Sequence, residues 1–443
     1  MAGEEKIMAN RNFDVELHHV TRVEGHGNIY VNVKNGTLER CEWNISEAPR
    51  FFEAMVLGRN WSELHHITSR ICGICSIGHT LASLKATEAA MGITISDQDL
   101  KLRKLALHAE NMQSHILHVG FLALPDLLGV GSVIPLASSN PEEVKTVLRL
   151  HRLANEMSTM VCGRTTHPQR LIPGGFSKIP SMKELSELRE RLKASVPDLQ
   201  AVAKLLKSLA PKIPDFVRET EFIALISPNE YALYDGKIGS TDADSAPVRE
   251  YLSFTNEYIV PQSTAKRAKH KRQSYMVGAL ARLNINYDKL SPLAKKIAEM
   301  FDLKPVCHNP FMNSVAQLVE VVHSVEDSIK LINELEAAGL KSQPDYNLPE
   351  INIKAGQGVG AVEVPRGILF HDYTYNNEGV CTKANCVIPT NQNHGNIQLD
   401  MKALLPKILE KTPKEIELTL EMLVRAYDPC ISCSAHAVKV HFV

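Results

Sequence analysis

Two short stretches hold the residues best suited to chemistry. Near residue 70 the chain reads RICGICSIGH, with Cys72 and Cys75 separated by two residues and His79 four further on. Near its end it reads DPCISCSAH, where Cys430, Cys433 and His436 repeat the step. A Cys-x-x-Cys step lets two thiolates reach one metal ion, because the intervening residues fold back as a tight turn or a first helical turn. Taken singly, each step fits a structural zinc, a redox dithiol or buried unliganded thiols. Taken together, two steps from opposite ends of the chain could converge on one site with four sulfurs. Zinc modules usually draw their ligands from one short region that the metal folds. A chain of 443 residues hardly needs a metal staple to bury its core.

The other five cysteines, Cys41, Cys162, Cys307, Cys381 and Cys386, form no Cys-rich run, so no iron-sulfur cluster is expected in this chain. An odd total of nine, the chain length and an N-terminus (MAGEEKIMANRNFD) without an apolar signal segment point to a reducing cytoplasm rather than a disulfide framework. No stretch approaches the ~20 apolar residues of a membrane span. With 44% hydrophobic and 22% charged residues and a formal net charge of -1, the chain has a large core and no net basic field to draw it to nucleic acid or anionic lipid. A GxGxxG after a strand is missing, and AGQGVG reads as a loop that carries little weight as a nucleotide site.

The elements that must position the cysteines follow from periodicity. FDVELHHVTRVEGHGNIYVNVKNGTLERCEWNI alternates apolar and polar residues around Asn35-Gly36, which predicts a hairpin and a small antiparallel sheet. Helical periods then run over 79–92, 97–128, 141–163, 181–208, 247–258, 314–339 and 414–426. Ser181 with Glu184 three residues later forms a capping box. From 343 to 398 the chain turns Gly-, Pro- and Asn-rich and reads as strands and loops. The expected fold is mainly α (α+β): a helical bundle over 79–340, a small N-terminal sheet over 13–46, and a late β/loop region before the C-terminal helix and motif. Without a linker to cut at, residues 1–443 read as one large domain.

With these stretches in view, the chain resembles the large subunits of nickel-iron hydrogenases. RICGICSIGH is similar to their N-terminal metal motif, Arg-x-Cys-Gly-x-Cys-x-x-x-His, and DPCISCSAH to their C-terminal one, Asp-Pro-Cys-x-x-Cys-x-x-His. TRVEGHG, EAPRFFEAMVLGR, HILHVGFLALPD, THPQRLIPGGF, EVPRGILFHDY and NCVIPT also fit in order. The RFFEA form, PRGILFHDY and the short tail look most like the cytoplasmic, bidirectional group of NAD(P)-linked hydrogenases and sulfhydrogenases. The resemblance implies nickel held by four thiolates, with Cys72 and Cys430 terminal and Cys75 and Cys433 bridging to an iron that carries carbon monoxide and two cyanides. Thiolates suit nickel and low-valent iron. It implies a second ion, Mg2+ or Fe2+, held by Glu53 and His436.

The same resemblance assigns roles around the cluster. Arg366 reaches over it, flanked by Pro365, and Val387, Ile388 and the Thr390 hydroxyl or nearby backbone line the cyanide side. Asp126 orients Arg366 from behind, and Asp428 serves beside the cluster. His79 bonds a bridging sulfur. Glu24 is the proton-relay candidate, since a carboxyl beside an anionic cluster can accept and pass a proton. Electrons from dihydrogen then leave to an iron-sulfur small subunit and on to flavin or iron-sulfur subunits. A maturation endopeptidase is expected to trim the chain after His436. Two rivals remain: a metal-free scaffold like the quinone-site subunit of respiratory complex I, which lacks the cysteines, and a structural zinc protein.

Overall fold

The computed structural model describes residues 12–435; His436 and the tail 437–443 lie outside them. The hairpin forms where the sequence predicts it. β1 (Phe13–Leu17), β2 (Gly27–Lys34) and β3 (Thr37–Ile45) make an antiparallel sheet in the order β1-β2-β3, and Asn35 and Gly36 both take the positive φ that its two-residue turn demands.

Among the described residues, ten helices have eight residues or more. They are α1 (Ser76–Met91), α2 (Asp97–Leu117), α3 (Pro141–Cys162), α4 (Met182–Ala194), α5 (Val196–Leu209), α6 (Ala279–Asn286), α7 (Pro292–Met300), α8 (Asn313–Ala338), α9 (Pro389–Ile408) and α10 (Pro413–Ala426). The stretch 181–208 is two helices, because Pro197 cannot donate to the preceding turn and opens α5 instead. The Ser181–Glu184 capping box is present. α2 packs against both α3 and α8, α5 touches α3 and α8, and α4 covers α8. Past α2 the chain makes one π-helical turn at His118–Ala123 before the short helix Leu124–Leu128.

Several elements differ from the periodicity. The helix expected over 247–258 is only a 3-10 turn and the five-residue helix Tyr251–Thr255. After α3 the chain makes a two-stranded ribbon of β4 (Leu171–Ile172) and β5 (Gly175–Phe176), and the stretch 210–278 interrupts the bundle with a small sheet of β6 (Glu221–Ile226), β7 (Lys237–Ser240) and β8 (Tyr275–Met276), ordered β7-β6-β8. AGQGVG is no loop: Gly356 opens β9 (Gly356–Val364), which pairs with β10 (Gly367–Tyr375), itself paired with β11 (Cys381–Val387).

α9 is the largest surprise, since it begins inside the segment read as strands and loops. Its first turns, PTNQNHGNIQLD, are buried yet polar, so no apolar stripe marks them. Their amides act as partners for other segments. Asn393 accepts from the Val277 N–H at 2.9 Å, Gln392 donates to the Ile368 carbonyl at 2.7 Å and accepts from the Tyr275 hydroxyl at 3.0 Å. Bonding of this kind is the condition for burying such groups at all.

The glycines of β9 set the position of α1. Gly356, Gly358 and Gly360 fall on one face of the strand, and a Cβ on any of them would strike the α1 backbone: the carbonyls of Ala90, Ala86 and Ala82 respectively. A period of two in the strand meets a period of four in the helix. With no side chains between, α1 lies directly on the sheet, and its first residue follows Cys75. Gly358→Ala tests this contact. The neighbouring atoms are backbone and cannot swing away, so the variant is expected to lose about 1–3 kcal/mol, the usual cost of overpacking, read as a lowered thermal midpoint.

Candidate metal centre

Cys72, Cys75, Cys430 and Cys433 are buried and their sulfurs all lie within 4.8 Å of one another. Cys72 Sγ stands 3.3 Å from Cys430 Sγ, Cys75 Sγ 3.7 Å from Cys433 Sγ, and Cys430 Sγ 2.9 Å from Cys433 Sγ. Two metal–sulfur bonds of about 2.3 Å set end to end span about 4.6 Å, so this spread suits ions lodged between the sulfurs.

Each loop is held by groups from elsewhere in the chain. Cys72 lies in an extended residue after the 3-10 turn Ser69–Ile71, and its sulfur accepts the N–H groups of Ile74 and Cys75 at 3.3 and 3.5 Å. Cys75 caps α1, whose first free N–H groups, at Ile77 and Gly78, point into the carboxylate of Glu110 on α2 at 2.6 and 3.0 Å. On the other side, the Cys430 N–H donates to Thr390 Oγ1 at 3.1 Å. Glu24 lies between β1 and β2 and leaves the sheet to form a parallel bridge with Cys430. Its carbonyl accepts from the Ile431 N–H at 2.9 Å and its Oε2 from the Ser432 N–H at 3.1 Å. The Ser432 hydroxyl bonds its other oxygen. Gly25, at φ 84°, allows this approach, since a Cβ there would sit 2.8 Å from Ile431 Cβ. Glu24 Oε2 ends 3.1 Å from Cys430 Sγ.

Arg366 arrives on the tip of a hairpin. Val364 ends β9 and Gly367 opens β10, so Pro365-Arg366 is a two-residue turn, and Gly367 takes φ 134°. The side chain is 4% exposed, which excludes a surface arginine. Its Nη2 donates to Asp428 Oδ1 at 2.8 Å, Nε to the Asp428 carbonyl at 2.7 Å and Nη1 to Ser114 Oγ at 3.2 Å. Burial works against its charge, but Asp428 and the thiols of Cys430, Cys75 and Cys72 overcome this and hold its pKa well above the usual value. Asp428, at φ 50°, turns the chain out of α10 and also accepts from Gln317 at 3.0 Å.

The charge balance tests the donor set. Four buried thiolates beside one guanidinium would leave an excess of negative charge that burial penalises heavily. Without cations the site keeps protons instead. Hydrogen bonds from Cys430, Cys433 and Cys75 hold the Cys72 thiol well below its usual range, while the other three are pushed up, Cys75 to about 11. Two divalent cations would supply the missing positive charge and let all four sulfurs bind as thiolates. Soft, buried and short of positive charge, this set fits nickel and iron.

The remaining expected residues fall as follows. Asp126 does not meet Arg366; it accepts from Arg425 Nε at 2.8 Å and Nη2 at 3.0 Å and from Arg22 Nη2 at 2.5 Å, and so braces the base of α10 against the N-terminal loop. An aspartate after a proline at a helix start could serve any nearby arginine, and Asp428 already fills Arg366. His79 lies one turn into α1, with Nδ1 3.1 Å from Nε2 of His371. Val387 ends β11, Ile388 caps α9, and both are buried with Thr390 beside the C-terminal loop. Glu53, half-buried on the short helix Phe52–Met55, accepts from the Cys386 N–H at 2.8 Å. Its expected co-ligand His436 lies outside the described residues.

A family comparison decides what this geometry belongs to. The nickel-dependent hydrogenase family matches residues 50–147 and 228–436. The chain belongs to that family. It is an oxidoreductase acting on dihydrogen, and its fold is that of a hydrogenase large subunit. Sulfhydrogenase 1 subunit alpha of Pyrococcus furiosus is 31% identical, covering 98% of this chain and 100% of the relative. Sulfhydrogenase 2 subunit alpha of the same organism is 33% identical over 96% and 100%. A crystal structure of an NAD+-reducing [NiFe]-hydrogenase in the H2-reduced state superposes with a TM-score of 0.85 at 27% identity, covering 97% of this chain and 100% of that one.

Sequence reasoning missed Glu110, Gln317 and the pair His394–Ser434. Trp43 Nε1 donates to His394 Nδ1 at 3.0 Å, which fixes the neutral tautomer with the proton on Nε2, 2.9 Å from Ser434 Oγ. Burial, reinforced by Arg267, pushes His394 down to about 3, so it stays neutral. Only their burial distinguishes these residues, and the parts of α2 and α9 that carry Glu110 and His394 are buried on every face. Removing one sulfur tests the shared shell. Cys75→Ala leaves three donors, and nickel content is expected to fall to background, measured by metal analysis of the purified protein, with hydrogen uptake lost alongside.

Proposed function

We propose that this hydrogenase chain is the catalytic subunit of a nickel-iron enzyme that cleaves dihydrogen heterolytically and reversibly. It sends electrons to an iron-sulfur partner subunit and on, through flavin or further iron-sulfur subunits, to a soluble acceptor such as NAD(P). The carrying observation is four buried sulfurs within 4.8 Å of one another with Arg366 beside them. Bound there, a nickel-iron group with carbon monoxide and two cyanides on iron supplies the acceptor for the electron pair of dihydrogen. The chain's own residues do the rest.

Glu24 Oε2, 3.1 Å from Cys430 Sγ, takes the proton left at that sulfur and carries it outward through the loop between β1 and β2, where Glu24 is only half-buried. Arg366, fixed by Asp428 and Ser114, keeps a positive charge at the site without being able to give up its own proton. Thr390, which holds the Cys430 N–H, is buried with Val387 and Ile388, and these residues keep water from the site. His79, held by His371, would tune one of the thiolates that hold the group. Glu53 with His436 holds Mg2+ or Fe2+, and an endopeptidase trims the chain after His436. No helix among the described residues is long and apolar enough to cross a membrane, which is consistent with a cytoplasmic enzyme.

Metal analysis tests the reading directly: nickel and iron near one each per chain are expected, and zinc alone would overturn it. The complex I-like scaffold needs no cysteines, and this chain has all four. Glu24→Gln keeps the shape and removes the proton acceptor. Turnover is expected to fall about 100- to 10,000-fold with normal nickel, the loss typical of a missing general base, and hydrogen/deuterium exchange with solvent should fall with it. Wild-type exchange in this variant would assign the proton to another group. Intact mass of the active enzyme tests the trimming: it should lack Ala437 to Val443, and an active full-length chain would refute the cut.

A further inference from the structure

We propose that Arg50 is the positioning residue that sets the gap between the two cysteine loops. The clamp stands on its own geometry, and its consequence for nickel rests on the hydrogenase reading above. Arg50 lies after β3, in the loop that leads to the short helix Phe52–Met55. Its Nη2 donates to the Ile71 carbonyl at 2.5 Å and to the Ser432 carbonyl at 2.5 Å. Those carbonyls immediately precede Cys72 and Cys433, one cysteine from each motif. The Arg50 backbone N–H donates to the Ala435 carbonyl at 2.9 Å, and the guanidinium lies over the Phe52 ring, 5.3 Å from its centroid.

One nitrogen bears two hydrogens, and here each goes to a different loop. The loops therefore cannot separate without breaking a charge-assisted bond, and they cannot close further without forcing two carbonyl oxygens together. Removing the guanidinium leaves these two partly negative oxygens facing each other with no donor between them. Thiols cannot replace it, because S–H groups are weak donors. Lysine offers a point charge in place of the flat fork. The other groups on the C-terminal loop, Glu24, Thr390 and the Trp43–His394–Ser434 chain, hold that loop alone. Arg50 touches both.

The test uses the full chain produced without nickel, so that it reads the sulfur positions and not the loaded enzyme. Mild oxidation with diamide, which becomes the hydrazine as two thiols join, is followed by mass-spectrometric mapping of the disulfides. Cross-loop products (Cys72–Cys430 and Cys75–Cys433) compete with the within-loop product Cys430–Cys433, and their ratio reports the gap. Arg50→Met is expected to lower that ratio about tenfold, the scale of one lost charged hydrogen bond, while the thermal midpoint stays close to that of the native chain. Arg50→Lys should recover part of it. Arg50→Gln keeps an NH2 on an arm too short to span both carbonyls and should behave as the methionine variant does. A native ratio in a folded Met or Gln variant overturns the clamp. In chains made with nickel, the Met variant should also carry less metal than the wild type. A shifted ratio together with a wild type that carries no nickel would sink the hydrogenase reading and leave the clamp standing.

Discussion

Four sulfurs from two loops 358 residues apart must be buried within 4.8 Å of one another, and sulfur has almost no hydrogen-bonding strength with which to hold itself there. Position has to come from everything attached to the loops. The backbone does it: almost every strong bond at the site ends on a carbonyl or N–H of residues 71–78 or 428–435. Glu110 takes the free N–H groups of α1, Thr390 takes Cys430, Glu24 takes Ile431 and Ser432, and Arg366 takes the Asp428 carbonyl. The sulfurs are left to the ions.

Those anchoring side chains are polar and buried, so each needs rigid support of its own. The glycine–alanine contact between β9 and α1 supplies it on one side, with the helix backbone lying against the strand. α9 supplies it on the other, its buried amides bonding the Lys266 carbonyl and both backbone groups of Val277 in the segment around β8, and the Ile368 carbonyl in β10. Behind Arg366 stands a second buried charge system. Arg282 forks onto Glu320 at 2.7 and 2.6 Å and reaches Glu363 at 2.9 Å, while its remaining donors hold the Val364 and Pro365 carbonyls at the base of the Arg366 turn. Burial alone would keep Glu320 protonated, but Arg282 and His115 override it and hold its pKa far below the carboxylate range. Breaking such a buried pair typically costs about 3–5 kcal/mol, so the hairpin that carries Arg366 is stiff at its root.

The sequence displays the site more openly than the frame around it. Both cysteine steps stand out because their residue types are rare and their spacing is chemical. The N-terminal hairpin and the long amphipathic helices are legible because one face of each meets water. Legibility ends where burial is complete. α9 shows no apolar stripe because its inward groups are amides bonded to loops, and β9 looks like a loop because its glycines exist to admit a helix. Asp126 shows a different limit. A carboxylate after a proline says that it starts a helix, and only the fold decides which of Arg22, Arg366 and Arg425 lies within reach.

The topology also constrains when the site can exist. Glu24 sits near the start of the chain and Cys430 near its end, yet they pair as neighbouring strands would, and Arg50 touches both loops at once. Contacts across such sequence separations close large loops and must wait for the intervening chain. α1, β9 and the backbone of the Arg366 hairpin can assemble among themselves, because the contacts that join them lie within residues 75–375, and the Arg366 side chain meets Asp428 only when the C-terminal loop arrives. The C-terminal loop is different: its four-residue helix Ile431–Ser434 is too short to be stable alone, and its bonds run outward to Glu24, Arg50, Thr390 and His394. It therefore docks as the last wall of a chamber whose other walls are already rigid. Until it does, Cys72 and Cys75 stand open at the start of α1, and the final two sulfurs arrive at walls that already carry the groups that fix them.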